Sequence, residues 1–261
     1  SRVFSSPLVS YVSYTSSLEL ETESVKSRLE RVNFRYFMGD QVLCRSPKVE
    51  QLLERASDAD VRLVDGILNV GPIETVARET SSEAVRERYS VGDDQTLFAF
   101  VGRLEPTKRP TAAVETLESA NVDYQLVVAG DGPAAETLRS TVDRRALYER
   151  VNVVGQLSQD EVFELLSGAD ALIMTSERES YSAVILEALA LGCEVVSTPV
   201  GVAPRIESDR LSTAPLDGLA ALVDEVERHE GPDLDRDICE SFSIATYADG
   251  VLDAFRRIVE K

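Results

Sequence analysis

Between Thr96 and Thr198 short apolar runs alternate with amphipathic stretches, and this alternation limits the folds open to the chain more than any other feature. The runs at 96–101, 124–129, 151–154, 169–174 and 194–198 read as strands. The stretches 109–119, 133–146, 159–167 and 182–191 carry apolar residues at helical spacing. Apolar strands alternating with helices imply an α/β fold with a doubly wound parallel sheet. In such a sheet ligands bind outside the carboxyl ends of the strands, so the loops that follow the strands are where chemistry is expected.

The most informative of these loops opens the stretch ERESYSAVILEALALG, Glu177 to Gly192. From Ala183 to Leu191 it is apolar on every side, as in a helix with protein all round it, and Glu187 is the only charge there. A carboxylate is almost never buried without a partner, so something must meet Glu187. Ser182 is a good N-cap type and Gly192 a good residue just past a helix end. The free N–H groups of the first turn would point over the loop that holds Glu179. Glu187 would lie about 7.5 Å further along the axis. A carboxylate, a crown of N–H donors and a second carboxylate in line match the hydroxyls, diphosphate and ribose of a nucleotide sugar. On these residues alone, an ion pair between Glu187 and an arginine, with Glu179 solvated, fits equally well.

The other loops add to this. Gly102-Arg103-Leu104-Glu105-Pro106-Thr107-Lys108 follows the strand 96–101. Gly102 permits close approach of a ligand, and Arg103 and Lys108 are two cations suited to a diphosphate. A solvated helix start with Lys108 paired to Glu105 is the competing reading. Gly130-Asp131-Gly132-Pro133 is better read as plain turn chemistry, although Gly130 could also admit a ligand. Gly155-Gln156-Leu157 could offer backbone groups to a flat base. Asp58-Ala59-Asp60 has the look of a metal-binding pair but reads as a solvated turn, so no metal site is expected. The lone His229 lies in a charged segment and reads as solvated, outside any catalytic triad.

The rest of the chain is less regular. A strand is expected over Leu8 to Tyr14, an exposed helix over Glu19 to Phe37, and a strand over Gln41 to Cys44. Ser46 would cap a helix over 47–56, followed by a strand over Val61 to Val64. Asn69-Val70-Gly71-Pro72 reads as a turn-rich loop and candidate hinge or domain boundary, ahead of a charged helix near Ser82 to Tyr89. Beyond Thr213 helical pieces are expected near 216–229, 233–240 and 243–260. The domain division drawn from this is 1–91, 92–241, and a closing helix at 242–261.

Composition excludes several classes. With 43% hydrophobic residues in 261 the chain can bury a proper core, while its longest apolar run is too short to cross a bilayer. The net charge is −19, and Lys26, Lys48, Lys108 and Lys261 are its only lysines. Self-repulsion of this order is tolerable where molar salt shortens the Debye length to about 3 Å, so a salt-adapted, halophile-type protein is expected. Nucleic acid and acidic lipid surfaces are poor partners for such a chain. Cys44, Cys193 and Cys239 are odd in number and far apart, which argues for reduced thiols and a cytoplasmic setting. No signal peptide is apparent, and Ser1 in place of Met suggests a trimmed or partial chain.

Taken in order, FAFVGRLEPTKRP (98–110), LVVAGDGPAAETL (126–138), VNVVGQLSQDEVFELLSGADALIMTS (151–176) and ESYSAVILEALALGCEVVSTPVG (179–201) resemble the family 4 retaining glycosyltransferases. This is also called glycosyltransferase group 1, of the two-domain GT-B fold. The spacing agrees as well, including the Glu-x7-Glu pair Glu179 and Glu187. FSIATYADGVLDAFRRI (242–258) is loosely similar to the family's closing helix, which crosses back to the first domain. The resemblance implies a nucleotide-diphospho-sugar donor, retention of configuration and no metal or other cofactor. It implies that Arg103 and Lys108 bind the diphosphate and stabilise the leaving nucleotide, and that Glu187 holds the ribose. Glu179 would face the transferred sugar, the N–H groups of Ser180 to Ala183 the phosphates, and Gln156 and Leu157 the base. The acceptor, whether a sugar, a lipid-linked compound or a small molecule, is left open. Ser180 stands where the family usually has Gly, and Arg205 where an acid often follows. Residues 1–91 resemble only the second half of the acceptor-side Rossmann-like domain, through LCRSP (43–47) and LNVGP (68–72). Roughly a hundred residues, a half-domain amount, are expected to be missing upstream. Three other readings compete. A phosphorylase would need a lysine for pyridoxal phosphate, and none lies between Lys108 and Lys261. An epimerase of the same fold would act without an acceptor. A non-catalytic module would bind the nucleotide sugar or a partner enzyme only.

Overall fold

The computed structural model describes residues 9–12, 41–44, 47–56, 58–64, 66–229 and 231–259. The helix expected over Glu19–Phe37 and the cap at Ser46 lie outside them. The chain divides into two compact units, Ser1–Ile67 with Glu240–Lys261, and Leu68–Cys239.

In the first unit β1 (Val9–Val12), β2 (Gln41–Cys44) and β3 (Asp60–Leu63) form a parallel sheet in the order β1-β2-β3, and α1 spans Pro47–Ala56. Every residue of β2 is buried. Because successive side chains of a strand point to opposite faces, Val42 and Cys44 join Leu53 of α1 in one cluster. Leu43 joins Val64 and Ala254 in another. Ala254 belongs to the closing helix, Ile244–Val259, whose Tyr247 and Val251 pack on the same cluster. Asp60 opens β3 and accepts a hydrogen bond from Gln41 Nε2 at 2.8 Å.

The second unit begins with α2 (Val70–Glu79) and α3 (Ser82–Arg88). Then come β4 (Thr96–Val101), α4 (Pro110–Ser119), β5 (Tyr124–Ala129), α5 (Ala135–Arg144), β6 (Val151–Gly155) and α6 (Gln159–Gly168). The unit continues with β7 (Ala171–Met174), α7 (Ala183–Ala190), β8 (Glu194–Ser197), β9 (Leu211–Thr213) and α8 (Leu219–Val223), and α9 (Arg236–Ser241) follows. The sheet is parallel throughout in the order β6-β5-β4-β7-β8-β9. The chain winds outward from β4 to β6, crosses back, and winds the other way from β7. The switch point therefore lies between the ends of β4 and β7, where two successive loops part and leave a crevice.

Four expectations are corrected. Asn69–Pro72 is a helix start and no turn-rich loop, because Pro72 is tolerated in a first turn and Ile73 and Val76 supply a buried face, while the boundary expected there falls just ahead of it, between Ile67 and Leu68. Residues 68–91, assigned from the sequence to the first domain, group with the second unit, because α2 and α3 pack against α6. The helix expected over 216–229 is a single turn at Leu216–Gly218 followed by α8. It stops because the Asp224 carboxylate takes the N–H groups of Asn121 and Val122 at 2.7 and 3.1 Å, tying the chain to the loop after α4. The edge strand β9 was not anticipated, being only three residues of mixed polarity.

Among the described residues no helix is long and apolar enough to cross a membrane, and the three cysteines are buried and joined by no disulfide.

Candidate functional site

The ends of β4, β5 and β6 border an open cavity of about 440 Å³. Gly102, Arg103, Gly130, Gln156 and Leu157, all predicted site residues, line it together with Asp131 and Gly132. Two of these glycines are obligatory. A Cβ on Gly130 (φ +149°) would fall 1.9 Å from the Gly102 carbonyl oxygen, and one on Gly132 (φ +150°) 2.7 Å from that of Leu104. The loops after β4 and β5 thus lie directly on one another, with the Leu104 N–H donating to Asp131 O at 2.8 Å and Ala134 N–H to Leu104 O at 2.7 Å. Gly-Asp-Gly serves both readings: it is turn chemistry that also bares the wall of the cavity.

Across the switch point the loops after β4 and β7 meet. Lys108 closes a single 3-10 turn, Pro106–Lys108, and its ammonium pairs with the carboxylate of Glu179. The Ser176 hydroxyl donates to the same carboxylate oxygen at 2.8 Å, and the Glu179 side chain is only 7% exposed. Glu105 takes Arg103 at 3.0 Å, so the expected alternative pairing of Lys108 with Glu105 is corrected. Arg103 keeps a guanidinium that is 78% exposed and free to turn toward a ligand in the cavity. A salt bridge exposed to this degree is weak and readily exchanged.

Helix α7 starts at Ala183 with Ser182 at its N-cap position, but the capping chemistry differs from expectation. Ser182 is in the left-handed region (φ 69°), and its hydroxyl donates to Met174 Sδ at 3.5 Å while capping nothing. The first-turn N–H groups are thereby left for an acceptor other than this side chain. Tyr181 is buried, and the turn at Gly201 closes over it: Val202 N–H donates to Tyr181 O at 2.8 Å. Glu187 is half-buried, and its partner is no arginine but Gln159, the first residue of α6, whose Nε2 donates at 3.1 Å. Burial pushes the Glu187 carboxyl above the usual range, and the Gln159 bond pulls it partly back. Gln159 stands two residues beyond Leu157, so Glu187 is linked to the cavity loop through it. Lys108, Glu179, Ser180 to Ala183 and Glu187 do not themselves line the cavity; they form a second group around the start of α7.

Four residues here are not marked out by the sequence reading. Gln159 carries no local signal. Ser158 and Glu161 form a reciprocal cap at the start of α6, with Ser158 N–H donating to Glu161 Oε2 at 2.8 Å; the Ser-x-x-Glu spacing announces it. Asp170 is fully buried at the opposite, amino-terminal edge of the sheet. It accepts from Arg86 Nη1 at 3.0 Å, Leu97 N–H at 2.6 Å and His229 N–H at 2.8 Å. His229 is accordingly half-buried and not solvated as expected; its Nε2 is enclosed, and burial pushes its pKa down. Among the described residues no cluster of His, Cys, Asp and Glu could hold a metal ion.

Residues 81–228 match the family model for glycosyl transferases group 1. The D-inositol 3-phosphate glycosyltransferase of Mycolicibacterium smegmatis is 28% identical over 233 residues, covering 84% of this chain and 53% of that protein. The N-acetyl-alpha-D-glucosaminyl L-malate synthase of Bacillus anthracis is 30% identical over 124 residues, covering 47% of this chain and 32% of that one. The chain thus spans about half or less of these relatives' length. The crystal structure of Anabaena HepE in complex with UDP and glucose superposes with a TM-score of 0.74 at 17% identity, covering 96% of this chain and 71% of that one. The fold is the α/β architecture of GT-B type.

Proposed function

The chain belongs to the glycosyl transferases group 1, and we propose that it moves a glycosyl group from a nucleoside-diphosphate sugar to a hydroxyl acceptor, with retention of configuration and without a metal ion. One observation carries this reading: a cation and a carboxylate from loops 71 residues apart meet at the switch point of the sheet, beside a glycine-walled cavity. In the donor complex the diphosphate takes Lys108 from Glu179 and draws in the exposed Arg103. Glu179, released from its ammonium partner, accepts hydrogen bonds from the hydroxyls of the transferred sugar. The N–H groups of Ser180, Tyr181, Ser182 and Ala183 face the phosphates, Glu187 holds the ribose, and Gln156 and Leu157 flank the base.

The bond from the anomeric carbon to the diphosphate oxygen breaks with its electron pair going to the nucleotide. Arg103 and Lys108 stabilise the charge that grows there. The acceptor oxygen bonds to the anomeric carbon from the side the diphosphate leaves, and its proton passes to the departing phosphate oxygen. UDP and glucose bound to the Anabaena protein support uridine diphosphate sugars as the first donors to try. The acceptor is a sugar, a lipid-linked compound or a small molecule. A net charge of −19 fits work in a salt-rich cytoplasm.

The test is a thermal-shift screen of nucleotide sugars in molar salt, since a ligand that binds the folded state raises its apparent stability. The best nucleotide is then titrated calorimetrically into wild type and Glu187→Ala. Loss of hydrogen bonds to a carboxylate should weaken binding about tenfold or more. Equal affinities would remove Glu187 from the site. Donor binding with no turnover on any acceptor would favour a binding module.

A further inference from the structure

The loops after β4 and β7 are joined residue by residue. Glu177 N–H donates to Thr107 O at 2.7 Å, and the Arg109 guanidinium meets the Glu177 carboxylate at 3.0 Å. Between these two links lies Thr175, which is 0% exposed. Its hydroxyl donates to Arg109 O at 2.8 Å and reaches Lys108 O at 3.2 Å. A hydroxyl has one hydrogen, so the two carbonyls share it. Arg109 lies in the left-handed region (φ 51°, ψ 52°), a conformation that a non-glycine residue holds only when its surroundings fix it. The turn that carries Lys108 is thus bent at its end against its own preference, and a buried donor from the next loop holds the bend.

We infer that Thr175 is a positioning residue, whose hydroxyl fixes the backbone at Lys108 and Arg109 so that the Lys108 ammonium stands against Glu179. The functional meaning rests on the reading that this pair is where the donor's diphosphate and sugar meet. Ser176, next in sequence, donates to the same Glu179 oxygen that the ammonium meets. Two adjacent hydroxyls therefore hold the two halves of the pair: Thr175 the cation's backbone, Ser176 the carboxylate.

The scarcity of lysine makes the inference measurable, because Lys26, Lys48, Lys108 and Lys261 are the only ammonium groups on side chains. In ¹⁵N-lysine-labelled protein, the Lys108 side-chain resonance is identified by its disappearance in Lys108→Arg. An ammonium held against a largely buried carboxylate exchanges its protons slowly and stays visible in the cold. The expected result is that this signal is lost in Thr175→Val, which keeps the shape and removes the hydroxyl, and is retained in Thr175→Ser, which keeps the hydroxyl. A Thr175→Val spectrum like that of wild type would overturn the inference. So would loss of the signal in Thr175→Ser, which is informative even if the valine variant does not fold. Titration with UDP separates the two readings. If the valine and serine variants behave as expected but UDP leaves the wild-type Lys108 resonance unmoved, the positioning role stands and the donor assignment fails.

Discussion

The second unit holds two buried carboxylates at opposite edges of one sheet, and they are satisfied in different ways. Asp170, at the amino-terminal edge, accepts from a guanidinium and two backbone N–H groups, all supplied by distant parts of the chain. Its donors leave no room for a ligand, and its work is to tie α3, β4 and the segment ending at His229 together. Glu179, at the carboxyl-terminal edge, is held by one ammonium and one hydroxyl, both carried on loops. Its partner Lys108 is 25% exposed, so a competing anion can reach it. A carboxylate saturated by the scaffold reads as structural; one paired with a displaceable cation beside a cavity reads as functional. Burial alone does not separate the two, since both are largely withdrawn from water.

The largest effect expected from this contrast is on stability. Removing one partner of a buried ion pair leaves the other uncompensated and costs about 3–5 kcal/mol. Asp170→Ala should lower the urea midpoint accordingly, while the folded fraction binds nucleotide as wild type does. Arg103→Ala should do the reverse. Its guanidinium is 78% exposed, so the unfolding free energy should change by no more than about 0.5 kcal/mol. Turnover should fall about 100-fold or more, as when a charge-stabilising donor is removed, with a smaller loss of nucleotide affinity. If Asp170→Ala abolished turnover at an unchanged midpoint, or Arg103→Ala unfolded the protein, the contrast between the two edges would be lost.

The same contrast governs what the sequence could reveal. The doubly wound sheet was legible because its strands and helices carry their periods locally, and the loops after β4 and β7 were legible because Arg103, Lys108 and Glu179 sit at strand ends. Asp170 carries no signal of its own: it sits inside the run 169–174 that reads as a strand, and its three donors come from residues 86, 97 and 229. His229 was misjudged for the same reason, since its charged neighbours in sequence are not its neighbours in space. At Ser182 the residue type pointed to a cap, but the left-handed backbone aims the hydroxyl at Met174 instead. At Asn69–Pro72 the boundary is legible but the loop is not, because turn-forming residues also start helices and only the buried face of Ile73 and Val76 decides between them. Local chemistry reads well from sequence; pairings fixed by the far side of the fold do not.

Glu187 lies between the two cases, half-buried with one neutral donor, and gives the smallest and most diagnostic effect. Its carboxyl is raised above the usual range because burial disfavours the charged form more than the Gln159 bond favours it. The folded state therefore binds a proton that the unfolded state has released, between the ordinary carboxylate range near about 4.3 and the raised folded value. Through that window stability falls as pH rises, and it stays lower above it. Glu187→Gln removes the titration and keeps an oxygen for the Gln159 amide. Its melting temperature relative to wild type should rise from pH 4 to pH 8, by less than either effect above, while its nucleotide affinity drops. A variant that gained nothing with rising pH would mean that the wild-type carboxylate already has donors enough, as Asp170 has, and would move Glu187 from the ligand's side of the comparison to the scaffold's.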